Sequence, residues 1–197
     1  MSESEPGWDA LDPEDPLFSA VREEVLRYGV RRATLSSIAR RAGVSRMTVY
    51  RRVGGIGQLI LDALVAEFTA TIARAGATAT GGTARAALVA QILGAIDALA
   101  EAPLTVALRE HDPELLLPYL VDRHGTNQRH ILTILAGGIR AGQADGSIRV
   151  GDPDLMALVL LHATQDFVIS SRILADSGDP HRVREELALL LDRYLTP

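Results

Sequence analysis

Residues 34–53 read TLSSIARRAGVSRMTVYRRV. Leu35, Ile38, Ala39 and Ala42 recur at i, i+3, i+4 and i+7, which predicts a short helix with one apolar face. Thr34 precedes it as an N-cap residue, and Gly43 follows where a left-handed C-cap favours a residue without Cβ. After the turn Gly43-Val44-Ser45, Ser45 caps a second helix. Val44 and Val49 are spaced as a hydrophobic staple, and Val49 and Val53 lie i, i+4 on the buried side. Arg46, Met47, Thr48, Tyr50, Arg51 and Arg52 are left pointing outward. Two short helices joined by a glycine turn, the second with a basic and aromatic free face, form the pattern of a DNA-binding helix-turn-helix.

An ordinary helical hairpin with solvated arginines shares the spacing, and charge distribution separates the two. From Arg22 to Arg52 there are nine Arg against Glu23 and Glu24, a local balance of +7 in a chain of net charge −5. Residues 1–15 carry six acids and no base, and residues 53–197 carry 11 Arg against 17 acids. Positive charge confined to one small module is the footprint of phosphate contact.

Tyr28-Gly29, Thr34, Ile38-Ala39, Ala42-Gly43-Val44-Ser45, Thr48-Val49-Tyr50 and Leu59 resemble the N-terminal signature of the TetR family of transcriptional repressors. The match covers about residues 17–60; the remainder agrees in length and helical character. After the tyrosine that family carries an aromatic, then a phosphate-gripping lysine opening the next helix. Those positions correspond here to Val53 and Ile56, within Val-Gly-Gly-Ile-Gly. The resemblance implies an all-α homodimer that pairs through its last two helices and contacts DNA with Thr34, Ser36, Arg46, Met47, Thr48, Tyr50, Arg51 and Arg52.

The 197 residues, 47% apolar, suffice for one or two small domains with a real core. The absence of cysteine excludes disulfides, thiolate metal sites and cysteine nucleophiles. Every Lys/Arg position is Arg. The apolar run Leu155–Leu161 is too short to span a bilayer, and the acidic N-terminus is unlike a secretory signal, so a cytoplasmic protein without membrane association is expected.

Three regions are expected: an acidic flexible arm at 1–15, a helix-turn-helix domain at 16–55, and a helical effector-binding and dimerisation domain at 56–197. Asp15-Pro16 marks a first helix with Phe18, Val21, Val25 and Leu26 inward, and the same Asp-Pro start signal recurs at Asp112-Pro113, Asp152-Pro153 and Asp179-Pro180. A long helix is expected from Ile56 to Arg74, burying Leu59, Ile60, Ala63, Leu64 and Phe68, with a break over GATATGG at 76–82. Helices follow at 83–102, with Leu88, Ile92, Ile96 and Leu99 inward, and from Pro103 to His111. Another long one comes after Pro118, ending at a loop over 142–151. Residues 154–176 are apolar nearly all round, implying burial on both sides. With the stripe Val183, Leu187, Leu190, Leu191 and Tyr194 they predict a two-fold four-helix interface, its seam formed by Leu187, Leu190, Leu191 and Tyr194.

None of the five His has metal-site spacing, and Ser170-Ser171 has no base placed by sequence, so an enzyme and a cofactor are not expected. His162 and Asp166 are i, i+4 with Gln165 beside them, and His124 and Gln128 repeat that spacing. They read as solvated polar groups, an interface pair, metal ligands, or polar anchors for an apolar effector in a cavity. The resulting expectation is a ligand-responsive repressor: a homodimer on a double-stranded, pseudo-palindromic operator, released by a small, largely apolar effector. The alternative is a helical small-molecule-binding protein of the same fold that has lost its DNA grip at Val53 and Ile56.

Overall fold

The structure, a computed structural model, describes residues 14–53, 55–76, 82–112, 126–169 and 178–197. The acidic stretch before Glu14, the break at 77–81, the region around Pro118 with His124, and Ser170-Ser171 lie outside the described residues. Within them the chain is all-helical: α1 Pro16–Tyr28, a 3-10 turn Val30–Arg32, α2 Leu35–Arg41, α3 Arg46–Val53, α4 Ile56–Gly76, α5 Ala84–Ala100, α6 Pro103–His111, α7 Thr126–Ala144, α8 Pro153–Ile169 and α9 Pro180–Leu195.

The helix starts follow from the Asp-Pro signals. Asp15 accepts the Leu17 N–H at 2.8 Å, Asp179 the His181 N–H at 2.9 Å, and Asp152 the Asp154 N–H at 2.9 Å. Each carboxylate satisfies a helix-start donor, while proline occupies the position where an N–H is dispensable. The fourth such aspartate, Asp112, is buried, and its Oδ1 lies 3.1 Å from Arg31 Nε.

The chain divides into two compact units, Met1–Ala70 with Pro103–Asn127, and Thr71–Ala102 with Gln128–Pro197. In the first, α6 joins α1 to α4 although it comes later in sequence. Glu67 of α4 is buried; it accepts the Leu104 N–H at the start of α6 at 3.1 Å, and its other oxygen lies 3.6 Å from Arg22 Nε on α1. Asp112, just past α6, holds Arg31 beside α1. On α1, Leu17, Ala20, Val21 and Val25 are buried. Phe18 is half-buried and Leu26, expected inside, is 42% exposed. The inward arc is displaced because Leu17 and Ala20 pack in place of Phe18, and Glu24 turns in to meet Arg41.

Leu59, Ile60, Ala63, Leu64 and Phe68 are all buried on α4, as the periodicity predicts. The span Ile56–Arg74 is long and apolar enough to cross a bilayer, a feature the shorter Leu155–Leu161 run does not reveal; half of it is buried within the structure. It also carries Asp62 and Glu67.

The core of the second unit gathers Leu88, Ile92 and Leu93 of α5, Leu135, Ala136 and Ile139 of α7, Ile148 of the turn that follows, Met156, Ala157, Leu160 and Leu161 of α8, and Leu187, Leu191 and Leu195 of α9. Asp145 accepts N–H bonds from Ala84, at the start of α5, and from Ser147. The Ser147 hydroxyl, the Ala84 N–H and the Ser147 N–H hold its carboxyl below the ordinary aspartate range. The loop expected from Gly142 begins later, because α7 continues to Ala144. Ile148 packs back on Gly142 of α7, where an added Cβ would collide with the Ile148 side chain, so this close approach requires glycine.

Burial raises the Glu67 carboxyl above the ordinary glutamate value, against the opposing pull of the Leu104 N–H and the Arg22 charge. A carboxyl raised in the native state binds its proton more readily there than in the unfolded chain. Its ionisation therefore costs stability, most fully above the native pKa, and the cost vanishes as pH falls below the ordinary value. Urea unfolding across a pH series should show Glu67→Gln gaining stability relative to the wild type as pH rises through that window. A relative loss over the same window would contradict the assignment.

Candidate nucleic-acid interface

The geometry of α2 and α3 follows from local chemistry. Thr34 Oγ1 accepts the Ser37 N–H at 3.1 Å, and Ser37 Oγ accepts the Thr34 N–H at 3.2 Å, a reciprocal capping box. At the other end Gly43 has φ +71°, with Gly43 N–H donating to Arg40 O and Val44 N–H to Ala39 O at 3.0 Å. This is the paired bonding of a Schellman turn, and it aims the chain into α3. Val44, expected as a staple, is 37% exposed, because this backbone turn sets the entry direction. Ser45 Oγ accepts the Thr48 N–H at 3.0 Å and caps α3.

Val49 is fully buried and Val53 is 7% exposed, fixing the rotation of α3 about its axis. Arg46, Met47, Thr48, Tyr50, Arg51 and Arg52 are then all exposed, as are Thr34 and Ser36 on the α2 side. Met47 is 65% and Tyr50 57% exposed, unusual for large apolar side chains on a helix whose other face is core.

Of the nine arginines between Arg22 and Arg52, four are held by carboxylates. Arg41 reaches Glu24 at 3.1 Å and Glu23 at 2.9 Å, tying α2 to α1. Arg22 faces Glu67, Arg31 faces Asp112, and Arg52 Nη2 lies 2.6 Å from Asp15 Oδ2. The other five, Arg27, Arg32, Arg40, Arg46 and Arg51, have no ion pair among the described residues. The acids near the basic segment thus anchor helices and leave cations on the outward face of α3. Sequence alone did not show these pairings, which join residues 17 to 81 positions apart; the available signal was the two acids Asp62 and Glu67 within the otherwise apolar α4.

The other candidate residues are placed differently. His162 and Asp166 are exposed on α8, on the stripe of Leu155 (59% exposed) and Val159 (43%). Their expected place in a cavity of the subunit is therefore corrected: they share the outward face of that helix. Gln165 is half-buried, Gln128 is 5% exposed on α7, and His124 lies outside the described residues. Among the described residues no group of three or more His, Asp or Glu is arranged to hold a metal ion. Leu187 and Leu191 are inside the core of the second unit, and Tyr194 is half-buried with the Arg149 guanidinium 4.7 Å from its ring centroid. Of the four seam residues only Leu190 is exposed, at 55%, beside Leu189 at 48%.

No protein-family model matches the sequence. Among solved structures the fold is similar to the TetR family repressor AlkX from Dietzia sp. (TM-score 0.71, 19% identity, 94% of this chain and 96% of that one). It is also similar to the TetR family repressor QsdR of R. erythropolis (TM-score 0.68, 18% identity, 92% and 94%). FadR from Bacillus subtilis, solved in complex with stearoyl-CoA, aligns with TM-score 0.61 at 19% identity over 91% and 98%. In sequence, an uncharacterized HTH-type transcriptional regulator of Mycobacterium bovis is 33% identical over 187 residues, 95% of this chain and 96% of the relative. The chain belongs to the HTH-type transcriptional regulators, and its fold is that of the TetR family repressors.

Where the TetR pattern has an aromatic and a lysine, this chain places Val53 in the core and Ile56 half-buried at the start of α4. Both positions serve packing, and the exposed cations nearby are Arg46, Arg51 and Arg52 of α3.

The Gly43 turn gives a direct check on this geometry. Nothing lies within 4 Å of an added Cβ there, so Gly43→Ala introduces only left-handed backbone strain. It should cost about 1–2 kcal/mol of stability in urea unfolding. A neutral or stabilising result would contradict the turn.

Proposed function

We propose that this regulator is a cytoplasmic repressor that binds a pseudo-palindromic operator as a homodimer and releases it on binding a small, largely apolar effector. The observation that carries the DNA half is the outward face of α3, where Arg46, Met47, Thr48, Tyr50, Arg51 and Arg52 are all exposed while Val49 and Val53 are buried. The N-terminal residues of a recognition helix reach base edges. Arg46 then suits a guanine and Met47 a thymine methyl, with Tyr50 one turn on. Thr34, Ser36, Thr48, Arg51 and Arg52 suit phosphates.

The dimer reading now rests on a different set of side chains. Leu189 and Leu190 of α9 and Leu155 and Val159 of α8 form the exposed apolar surface of the last two helices. His162 and Asp166, on the same α8 stripe, fit an interface pair better than cavity anchors. Two-fold pairing of these helices would set the separation of two recognition helices, and an effector favouring one separation over the other would act as the switch.

Support for an apolar effector is the aliphatic interior of the second unit, with Gln128 as a buried polar anchor. Two structural neighbours point the same way: AlkX is implicated in biodegradation of n-alkanes, and FadR of Bacillus subtilis was solved with stearoyl-CoA. Titrating long-chain alkanes and acyl-CoA into a protein–operator complex, followed by mobility shift, tests this half. Release is expected, and Gln128→Ala should weaken it without changing operator affinity.

Sedimentation at micromolar concentration tests the dimer. The native chain should sediment as a dimer. Leu189→Glu with Leu190→Glu should give a folded monomer, since a charge in an apolar seam is left uncompensated. Charges at Leu187 and Leu191 should instead unfold the subunit, because both sites lie in its core. A native monomer would remove the two-fold operator from the account.

A further inference from the structure

The three arginines of α3 are not electrostatically alike. Arg46 and Arg51 are exposed with no ion pair among the described residues. Arg52, in the last turn, has its Nη2 2.6 Å from Oδ2 of Asp15, the more buried partner of the two. The other oxygen of Asp15, Oδ1, accepts the Leu17 N–H at 2.8 Å and starts α1. One carboxylate thus serves both as a helix cap and as an anchored counter-charge to the recognition helix.

A second acid acts on the same cation. Asp62, half-buried on α4, accepts Gln58 Nε2–H at 2.7 Å. Burial raises its carboxyl above the ordinary aspartate value, while the Gln58 amide and the Arg52 charge pull it down. That Coulomb attraction is mutual, so Arg52 is drawn to carboxyls on two other elements. Residues 53–61 contain no charged side chain, so the start of α4 supplies no cation to offset these acids. A DNA phosphate reaching Arg52 must compete with Asp15 for the same guanidinium donors and is repelled by its charge. Arg46 and Arg51 impose no such competition.

We propose that Asp15 is a positioning residue that restrains DNA affinity: by holding Arg52 against the start of α1, it withholds that cation from phosphate. The proposal rests on the DNA-binding reading of α3. Phosphate contacts carry no sequence information, whereas base contacts come from the N-terminal end of a recognition helix. The grip on duplex of any sequence is therefore held down, while base preference, set at Arg46 and Met47, is untouched.

Asp15→Asn separates the two roles of this side chain, because asparagine caps a helix about as well as aspartate but carries no charge. In the full chain it should tighten binding to mixed-sequence duplex DNA about fivefold per head at about 50 mM salt. The gain should shrink about threefold as salt rises to about 200 mM, since one more arginine then releases counterions. Adding Asp15→Asn to Arg52→Ala should leave affinity and salt slope as they are in Arg52→Ala alone. Urea unfolding checks that each variant is folded. Unchanged or weaker binding by folded Asp15→Asn, with the wild-type salt slope, would show that the pair only seats α3 and would overturn the proposal. An equal gain in the Arg52→Ala background would assign the effect to net charge and overturn it too. Failure of the wild type and every variant to bind duplex would overturn the DNA-binding reading first and this proposal with it.

Discussion

The burial of Val49 and Val53, one helical turn apart on α3, is the constraint on which the interface depends. An eight-residue helix has too few internal hydrogen bonds to hold itself in water. Two buried valines contribute roughly 1.5–3 kcal/mol each, enough to seat α3 only if its ends are also held. The Schellman turn at Gly43 and the Ser45 cap fix the start, and the Asp15–Arg52 pair fixes the finish. With rotation and both ends set, the exposure of Arg46, Met47, Tyr50 and Arg51 follows without further interactions.

Acidic residues act chiefly as joints in the first unit. Glu23 and Glu24 bind Arg41, Asp112 binds Arg31, and Glu67 receives the α6 start while facing Arg22. Through the last two, α6 belongs to the same compact unit as the helix-turn-helix. Ion pairs of this kind are costly to bury unless hydrogen-bonded, and the raised Glu67 carboxyl reflects that cost.

The helix-turn-helix was legible because its determinants are local: capping side chains, a glycine at positive φ and i, i+4 apolar spacing all lie within 20 residues. The same holds for the Asp-Pro helix starts and the α4 stripe. What periodicity could not resolve was which of two neighbouring apolar residues points inward. On α9, Leu187 and Leu191 fill the subunit core while Leu189 and Leu190 remain outside, since every position from Ala188 to Leu191 is apolar and several arcs fit. On α8 the apolar run concealed an outward stripe that includes His162 and Asp166. The Arg31–Asp112 and Arg22–Glu67 pairs are long-range and leave no periodic signature at all.

The central claim, that buried valines turn Arg46 towards the bases, is tested most directly by measuring Arg46→Ala against a panel of operator point variants. The account predicts a loss on the order of 1–3 kcal/mol per half-site with preference relaxed at one base pair. Weakening that is uniform across the panel, with base preference intact, would show that α3 is rotated differently on DNA and would contradict it.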